Sequence, residues 1–479
     1  MKYMWEGRFK DEILNEVIEF TKSIDIDKKL AFYDIKGSIA HTKMLAKVGL
    51  LTKEEEKEII DGLKIIENEI KKNIFEIKKT DEDIHTAIER RLIEIKGDVG
   101  EKLHTARSRN DQIALDERLY LRDAIISIVK GIINVQKALL EKSEQYIDKL
   151  IPAYTHLKQS QVVLISHYLL SYIEKLERDK ERFFSTYERV NILPLGVGAC
   201  SGTTLNIDRK YVAELLNFPK ITRNSLDTVS DRDFLLETLF NCVLTLIHLS
   251  SFSEDLIIWN MDEIEFINLP DNLCTGSSLM PHKKNPDILE LIRGKTGISI
   301  GNLTGILCTL KSLPFSYNRD LQEDKKPLFE TIEILISSLN ILSKVIKNIK
   351  FNTEKIKNSI SSFTLATDIA EYLVKKKIPF RKAHKIVGEI VNYCIKNKKD
   401  LFSLSLKEFK KFSKEFEEDI FNLLNFEKSA NLKTSFGGTS IENVKKEIER
   451  WRKNLKNFSI PILVLKRKSS MLKKLKAKK

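Results

Sequence analysis

The 479-residue sequence predicts a mainly α-helical protein, and three observations carry the prediction. Apolar residues recur at helical spacing over long runs, no alternating strand pattern of any length is evident, and no proline occurs before Pro152. Five runs make up a central bundle. The first, residues 111–151, places Ile113, Leu115, Leu119, Leu121, Ile125, Ile128, Ile132, Val135 and Leu139 at helical spacing, with Gly131 the single interior glycine. The second follows His156 to about Val190. The third, residues 229–261, contains LFNCVLTLIHL, apolar on nearly every face, as in a helix surrounded by other helices. The fourth begins at Pro286 and the fifth at Lys326. Helices of this length bury their apolar faces more easily in a bundle shared between chains than in a compact monomer, so an obligate oligomer is expected.

Two boundaries follow from composition. Near residue 105 a mixed, charged region gives way to the first long helix, and near 355 the bundle pattern gives way to shorter segments. The chain therefore divides into 1–105, mostly helical; 106–355, the long-helix bundle; 356–455, a small helical domain; and 456–479, a basic tail. The stretch LKTSFGGTSIENVKKEIERW carries a capping signature, Thr439 or Ser440 ahead of Glu442.

Composition narrows the function class. Hydrophobic residues make up 42% of the chain, ample for a large core. The five cysteines show no paired spacing, which fits a reducing compartment. The start lacks the apolar segment of a secretory signal, and residues 238–253 are too short to span a bilayer, so a soluble cytoplasmic protein without membrane contact is expected. The formal charge of +13 is concentrated in a tail: residues 466–479 hold eight Lys and Arg and no acid. A solvated terminus is the simplest reading. Leu472 and Leu475 leave room for a short helix that meets RNA, so nucleic acid is expected at most as weak tail contacts. No His, Cys or acidic cluster has metal spacing and no phosphate loop occurs, so neither metal nor cofactor is expected. His248, in the most apolar run, reads as a hydrogen-bonded core residue.

The chemistry concentrates in residues 274–295, CTGSSLMPHKKNPDILELIRGK. Asn285-Pro286-Asp287 reads as a helix start with Asn as cap, Pro at the first helical position and Asp where the dipole favours an acid. The preceding loop, with Gly276, Ser277, Ser278, Lys283 and Lys284, is then aimed at a helix N-terminus and makes a site for an anion. An anion that develops during a reaction gains most from such a site, because only differential binding lowers a barrier. Proton removal beside a carboxylate develops that kind of charge. A serine acting as base needs its pKa lowered by many units at about 1.4 kcal/mol each, which calls for cations, backbone amides and a closed loop.

GSSLMPHKKNP resembles the signature loop of the fumarase/aspartase superfamily. Six further segments resemble argininosuccinate lyases in order and spacing: SIDIDKKLAFYDIKGSIAH, DEDIHTAIERRL, KLHTARSRNDQIALD, AYTHLKQSQ, RNSLDTVSDRDF and YNRDLQEDK. With MWEGRF at the start and FGGTS near the end, the resemblance covers residues 4 to about 450, and the basic tail departs from it. His282 is more typical of adenylosuccinate lyases, which makes that branch the nearest rival. A silent crystallin-like structural protein is a rival of another class, and the presence of Ser277, Lys283, His156 and Glu290 argues against it.

The resemblance implies a three-domain fold whose five-helix bundle joins a 20-helix core in a homotetramer, with each active site shared between subunits. It implies anti β-elimination of argininosuccinate to L-arginine and fumarate in arginine biosynthesis, without a cofactor. Ser277 would take the Cβ proton, and Lys283 and Asn285 would hold the carbanion and its carboxylate. His156, placed at a helix start by the sequence reading, would pair with Glu290, expected to be buried between Leu289 and Leu291, and exchange a proton with the leaving guanidine. Which of His156 and Ser277 is acid and which is base stays open. Ser23, His85, Arg109, Asn110, Thr155, Arg232, Asn285, Tyr317, Gln322 and Lys325 match the substrate-binding positions. The physical reason is clearest for Arg109, which can bind a carboxylate bidentately at the start of a long helix.

Overall fold

The computed structural model describes residues 13–456; the MWEGRF start and residues 457–479 of the tail lie outside them. In the N-terminal region α1 (Ala31–Lys47), α2 (Lys53–Lys71) and α3 (Ile84–Lys96) pack on one another. Thr52 and Glu55 cap α2 reciprocally, and the Asp83 carboxylate accepts the Thr86 N–H at 2.6 Å to start α3.

Five long helices follow: α4 (Arg109–Gln145), α5 (Ile165–Val190), α6 (Asp233–Trp259), α7 (Asp287–Leu310) and α8 (Lys325–Asn348). Contacts between named residues fix their directions. Arg118 near the start of α4 donates to the Arg189 carbonyl at 2.8 Å and Gln136 further along donates to the Ile173 carbonyl at 3.2 Å, so α5 runs back along α4. Lys325 lies 3.1 Å from Glu117 and Lys142 donates to the Ile349 carbonyl at 2.9 Å, so α8 runs parallel to α4. Tyr168 donates to Asp255 at 2.6 Å, and Arg293 donates to Glu254 at 2.5 Å; α6 therefore opposes both α5 and α7. The bundle has two distinct ends. The near end gathers the start of α4, the loop before α8 and Arg232; the far end gathers the end of α4 and the start of α7. With 37 residues α4 spans about 55 Å, and with 24 residues α7 spans about 36 Å.

One apolar core runs from Leu30 through the bundle to Leu455, so the N-terminal region shares the bundle's interior. A second core, Leu365 to Ile420, belongs to a small lobe that includes α9 (Ala366–Lys375) and α10 (Phe380–Lys396). The stretch Ser225–Trp259 is long and apolar enough to cross a bilayer by composition alone, beyond the shorter run noted in the sequence; Phe234, Leu239, Leu246 and Leu256 bury it in the bundle core. The last helix, α11 (Ile441–Lys456), starts as its signature indicated: Ser440 accepts the Asn443 N–H at 3.4 Å, while the Thr439 hydroxyl is spent on the Leu164 N–H at 2.9 Å.

The far end departs from the sequence reading. Helix α4 stops at Gln145, and residues 150–164 form an antiparallel hairpin, β1 (Leu150–Thr155) and β2 (Lys158–Leu164), where a helix end and a helix start were expected. Elsewhere two separate pairs of two-residue strands occur: Ile192–Leu193 with Lys220–Ile221, parallel, and Ile267–Asn268 with Lys350–Phe351, antiparallel. Gln159 ties the hairpin to the C-terminal lobe, donating to the Ser359 carbonyl at 2.8 Å and accepting the Ser361 N–H at 2.9 Å.

Candidate active site

At the near end a cleft of about 910 Å³ opens between α3, the start of α4 and residues 317–325. Ser23, Arg109, Asn110, Tyr317, Gln322 and Lys325, six of the sequence-predicted binding residues, line it. The Arg109 guanidinium is steered by its donation to Gln112 at 2.8 Å and lies 3.5 Å from Asp83 and 3.4 Å from Glu89. Asn110 donates to the Ala199 carbonyl at 3.2 Å, and Gln322 to the Thr21 carbonyl at 3.2 Å. Burial opposes the charge of Lys325, but Asp324 at 3.0 Å and Glu117 at 3.1 Å outweigh burial and hold its pKa above the usual lysine value.

Arg232 and His85 lie behind this wall. Arg232, 2% exposed, sits 2.5 Å from Asp324 and 3.4 Å from Glu117, so it fixes the acids that in turn hold Lys325. His85 is buried with its Nδ1 2.6 Å from Asp34 and 3.4 Å from Asp116. This trio has the residue types of a metal site, which no spacing in the sequence had indicated. A separation of 2.6 Å is that of one hydrogen bond, however, and an ion bound at about 2.0–2.2 Å to both atoms needs them further apart. The trio is better described as a hydrogen-bonded charge network that includes Arg107. Burial would raise the Asp34 carboxyl; the hydrogen bond and charge of His85, with Arg107 behind them, hold it down to about 2.

At the far end, His156 and Leu157 form the two-residue turn of the hairpin, both left-handed at φ of 55° and 56°. His156 therefore does not sit at a helix start. A turn with both central residues at positive φ normally uses Asn and Gly; two L-residues there store roughly 1–2 kcal/mol each. Strain of this kind concentrates where a side chain must be aimed. Thr155, the last residue of β1, stands exposed beside it.

The signature loop occupies the same end. Thr275 and Asn285 pair across its base: the Asn285 N–H donates to the Thr275 carbonyl at 2.8 Å and the Thr275 N–H to the Asn285 carbonyl at 3.2 Å. Asn285 is thus the loop's closing residue rather than the helix cap, a position taken by Pro286, because its backbone is committed to the pairing. Ser277 Oγ accepts the Met280 N–H at 3.0 Å and the Leu279 N–H at 3.3 Å, donors that favour an oxygen gaining negative charge. Lys284 is drawn off to Asp271 at 2.8 Å, whereas the Lys283 ammonium has no partner among the described residues. Glu290 is half exposed, 3.9 Å from Arg293, and not buried as expected. Its neighbours in sequence point apart on the helix: Leu289 is 1% exposed and Leu291 58%.

The predicted residues thus fall into two sets at opposite ends of one bundle. Sequence reading missed Asp27, Glu117 and Asp324, although Asp27 follows Ser23 by one helical turn within a matched segment.

A family model described as lyase matches residues 7–301, and one described as argininosuccinate lyase C-terminal matches residues 363–431. An argininosuccinate lyase of Aquifex aeolicus is 49% identical over 449 residues, covering 94% of this chain and 98% of that one. The chain belongs to the argininosuccinate lyase family. A second member of the family, from Syntrophus aciditrophicus, is 51% identical over 448 residues, covering 93% and 95%. Among solved structures, EDDS lyase in complex with formate superposes with a TM-score of 0.83 at 25% identity, covering 96% of this chain and 93% of that one. Class II fumarase from Schistosoma mansoni shares the fold alone, with a TM-score of 0.72 at 16% identity over 87% and 92%. Family membership makes the chain a lyase acting on a carbon–nitrogen bond, with the mainly α superfamily fold that the sequence implied.

Proposed function

We propose that the chain cleaves argininosuccinate to L-arginine and fumarate by anti β-elimination, in a cytoplasmic homotetramer whose active sites join the near end of one chain to the far ends of its neighbours. The observation that carries this reading is the split of the site. Arg109, Asn110, Tyr317, Gln322 and Lys325 line a cleft at one end, while Ser277, Lys283, Glu290 and His156 belong to the other, tens of ångströms away. Neighbouring chains laid antiparallel would bring them together.

Helix α7 offers the surface for that assembly. Leu291, Gly294, Ile298, Gly301 and Gly305 share one face; Leu291 is 58% and Ile298 48% exposed, and a Cβ built on any of the three glycines meets nothing within 4 Å. Exposed Phe240 and Ile247 extend the apolar surface onto α6. Such a patch supports burial against other copies, and its glycines permit close helix approach.

In the assembled site Ser277 takes the Cβ proton, its oxygen charge favoured by the Leu279 and Met280 amides. Lys283, with Asn285, steadies the carboxylate-stabilised carbanion. His156, partnered with Glu290, exchanges a proton with the leaving guanidine, and Arg109 and Lys325 hold carboxylates of the substrate. The five free cysteines suit a reducing cytoplasm. Following fumarate absorbance with argininosuccinate and adenylosuccinate side by side tests the reading: cleavage of the former supports it, and cleavage of adenylosuccinate alone would overturn it.

A further inference from the structure

We propose that Glu117 takes up a proton when a carboxylate of the ligand reaches Lys325, and so sets how tightly that carboxylate is held. The proposal rests on the activity argued above, which gives Lys325 a substrate carboxylate. Glu117 is 0% exposed and lies on α4, about two turns beyond Arg109 and Asn110. It stands 3.1 Å from the Lys325 ammonium and 3.4 Å from Arg232 Nε, yet neither approach has the direction of a hydrogen bond. Asp324, by contrast, accepts Arg232 Nε at 2.5 Å and the Lys325 ammonium at 3.0 Å. The other charged groups that face Glu117 are committed elsewhere: Arg118 to Asp231 at 2.5 Å, and Asp116 to the His85 network at 3.4 Å. Tyr317, on the cleft wall beside Lys325, is kept neutral by burial.

Before a ligand arrives, Glu117 and Asp324 face two cations, Arg232 and Lys325, and the buried cluster is neutral. The wall around it has no surplus positive charge: of the described residues lining the cleft, seven are Asp or Glu and five are Lys or Arg. A carboxylate that binds Lys325 therefore leaves three acids for two cations, where unbalanced charge is most costly. A like charge nearby favours the neutral form of a carboxyl. Of the two acids, Glu117 is the one to yield. Burial would raise the Asp324 carboxyl, but Lys325 and Arg232 hold it below its ordinary range. Burial pushes the Glu117 carboxyl up, and although Arg232 and Lys325 oppose this, the charge of Asp324 adds to the push. One proton from the buffer adds to a Glu117 oxygen and no other covalent bond changes. Lys325 stays an ammonium, its charge turned from Glu117 to the ligand.

Calorimetry of argininosuccinate binding to the Ser277→Ala oligomer, repeated near neutral pH in buffers of different ionisation enthalpy, counts the protons taken up per site. The same measurement on Ser277→Ala/Glu117→Gln isolates position 117. The first protein is expected to take up about half a proton or more per site beyond the second. Its affinity should then fall more steeply as pH rises between about 6 and 8, by up to about tenfold per pH unit relative to the double variant. A side chain that only fills space would leave equal proton counts and parallel pH profiles, and that result overturns the proposal. Infrared difference spectra of the Ser277→Ala oligomer need no change at position 117: ligand binding should add a protonated-carboxyl band that shifts on ¹³C labelling of glutamate and not of aspartate. A band that follows aspartate, or no band, overturns the proposal even where the Glu117→Gln protein fails to assemble. Failure of the wild type to cleave argininosuccinate would instead remove the proposed activity, so the two failures are distinct.

Discussion

Ser277 Oγ accepts the backbone N–H of Met280 at 3.0 Å, three residues along the same loop. A hydroxyl held in this way presents its oxygen to donors before any substrate arrives, as a base that must carry negative charge requires. Ser277→Ala removes the proton acceptor and keeps the loop's other groups. Turnover of argininosuccinate is expected to fall by about 10³-fold or more. Because the loop is largely exposed, stability should change by less than about 0.5 kcal/mol and the oligomer should persist. Fumarate absorbance and light scattering measure both; comparable activity in the two proteins would take serine out of the mechanism.

The separation of the two residue sets predicts complementation. Arg109→Ala damages the near end of a chain and Ser277→Ala the far end, and each homo-oligomer should be inactive. In hybrids formed by refolding the two together, a site works when an intact near end meets an intact far end from another copy. Random mixing gives roughly a quarter of wild-type activity if each site takes these ends from two different chains. Recovery no greater than the sum of the separate variants would mean that both ends come from one chain.

Gly301 distinguishes a surface glycine from an interface glycine. A Cβ added there meets nothing within 4 Å in the single chain. Gly301→Leu should therefore leave the protomer folded, and helix propensity favours the leucine by close to 1 kcal/mol. If the α7 face packs against other copies, the leucine blocks close approach: sedimentation should show smaller species, with helical circular dichroism unchanged and activity lost. A fully assembled, active Gly301→Leu enzyme would place the interface elsewhere.

These contrasts show which features the sequence made legible. The long helices were readable because apolar positions at helical spacing, such as Ile125, Ile128, Ile132 and Val135, are all buried in one core. The hairpin was not, because Ile151, Val162, Val163 and Leu164 are as compatible with a helix flank as with a short strand, and its turn lacks Gly or Asn; His156 and Leu157 supply the positive φ instead. The cleft residues Arg109, Asn110 and Lys325 came through motif resemblance. Their counter-charges Glu117 and Asp324 did not announce themselves, since a helical acid reads as solvated until tertiary packing buries it beside Arg232. Glu290 failed in the opposite direction: apolar neighbours in sequence do not bury a helical residue whose own side chain points outward.

His41 predicts the acid limit of the fold. It is 1% exposed, and its Nε2–H donates to the Thr105 carbonyl at 2.8 Å. Burial is the main force lowering its pKa, and the positive charge of Arg107 adds to it, bringing the imidazole down to about 3 from an ordinary 6.5. The folded chain thus keeps His41 neutral while the unfolded chain binds a proton below about pH 6.5. Between these values the unfolded state holds one more proton, so stability rises with pH and falls on acidification, by roughly 1.4 kcal/mol per pH unit for this one group. The loss begins near pH 6.5 and is complete once the pH has fallen through about 3. His41→Gln retains an N–H for the Thr105 carbonyl but cannot titrate. Its unfolding free energy, measured in urea at successive pH values, should fall less steeply than the wild type's between pH 6 and 4, whatever its stability at pH 7. Parallel pH profiles for the two proteins would show that His41 accepts a proton in the folded state as readily as in the unfolded one, and burial of the ring would not be a source of acid lability.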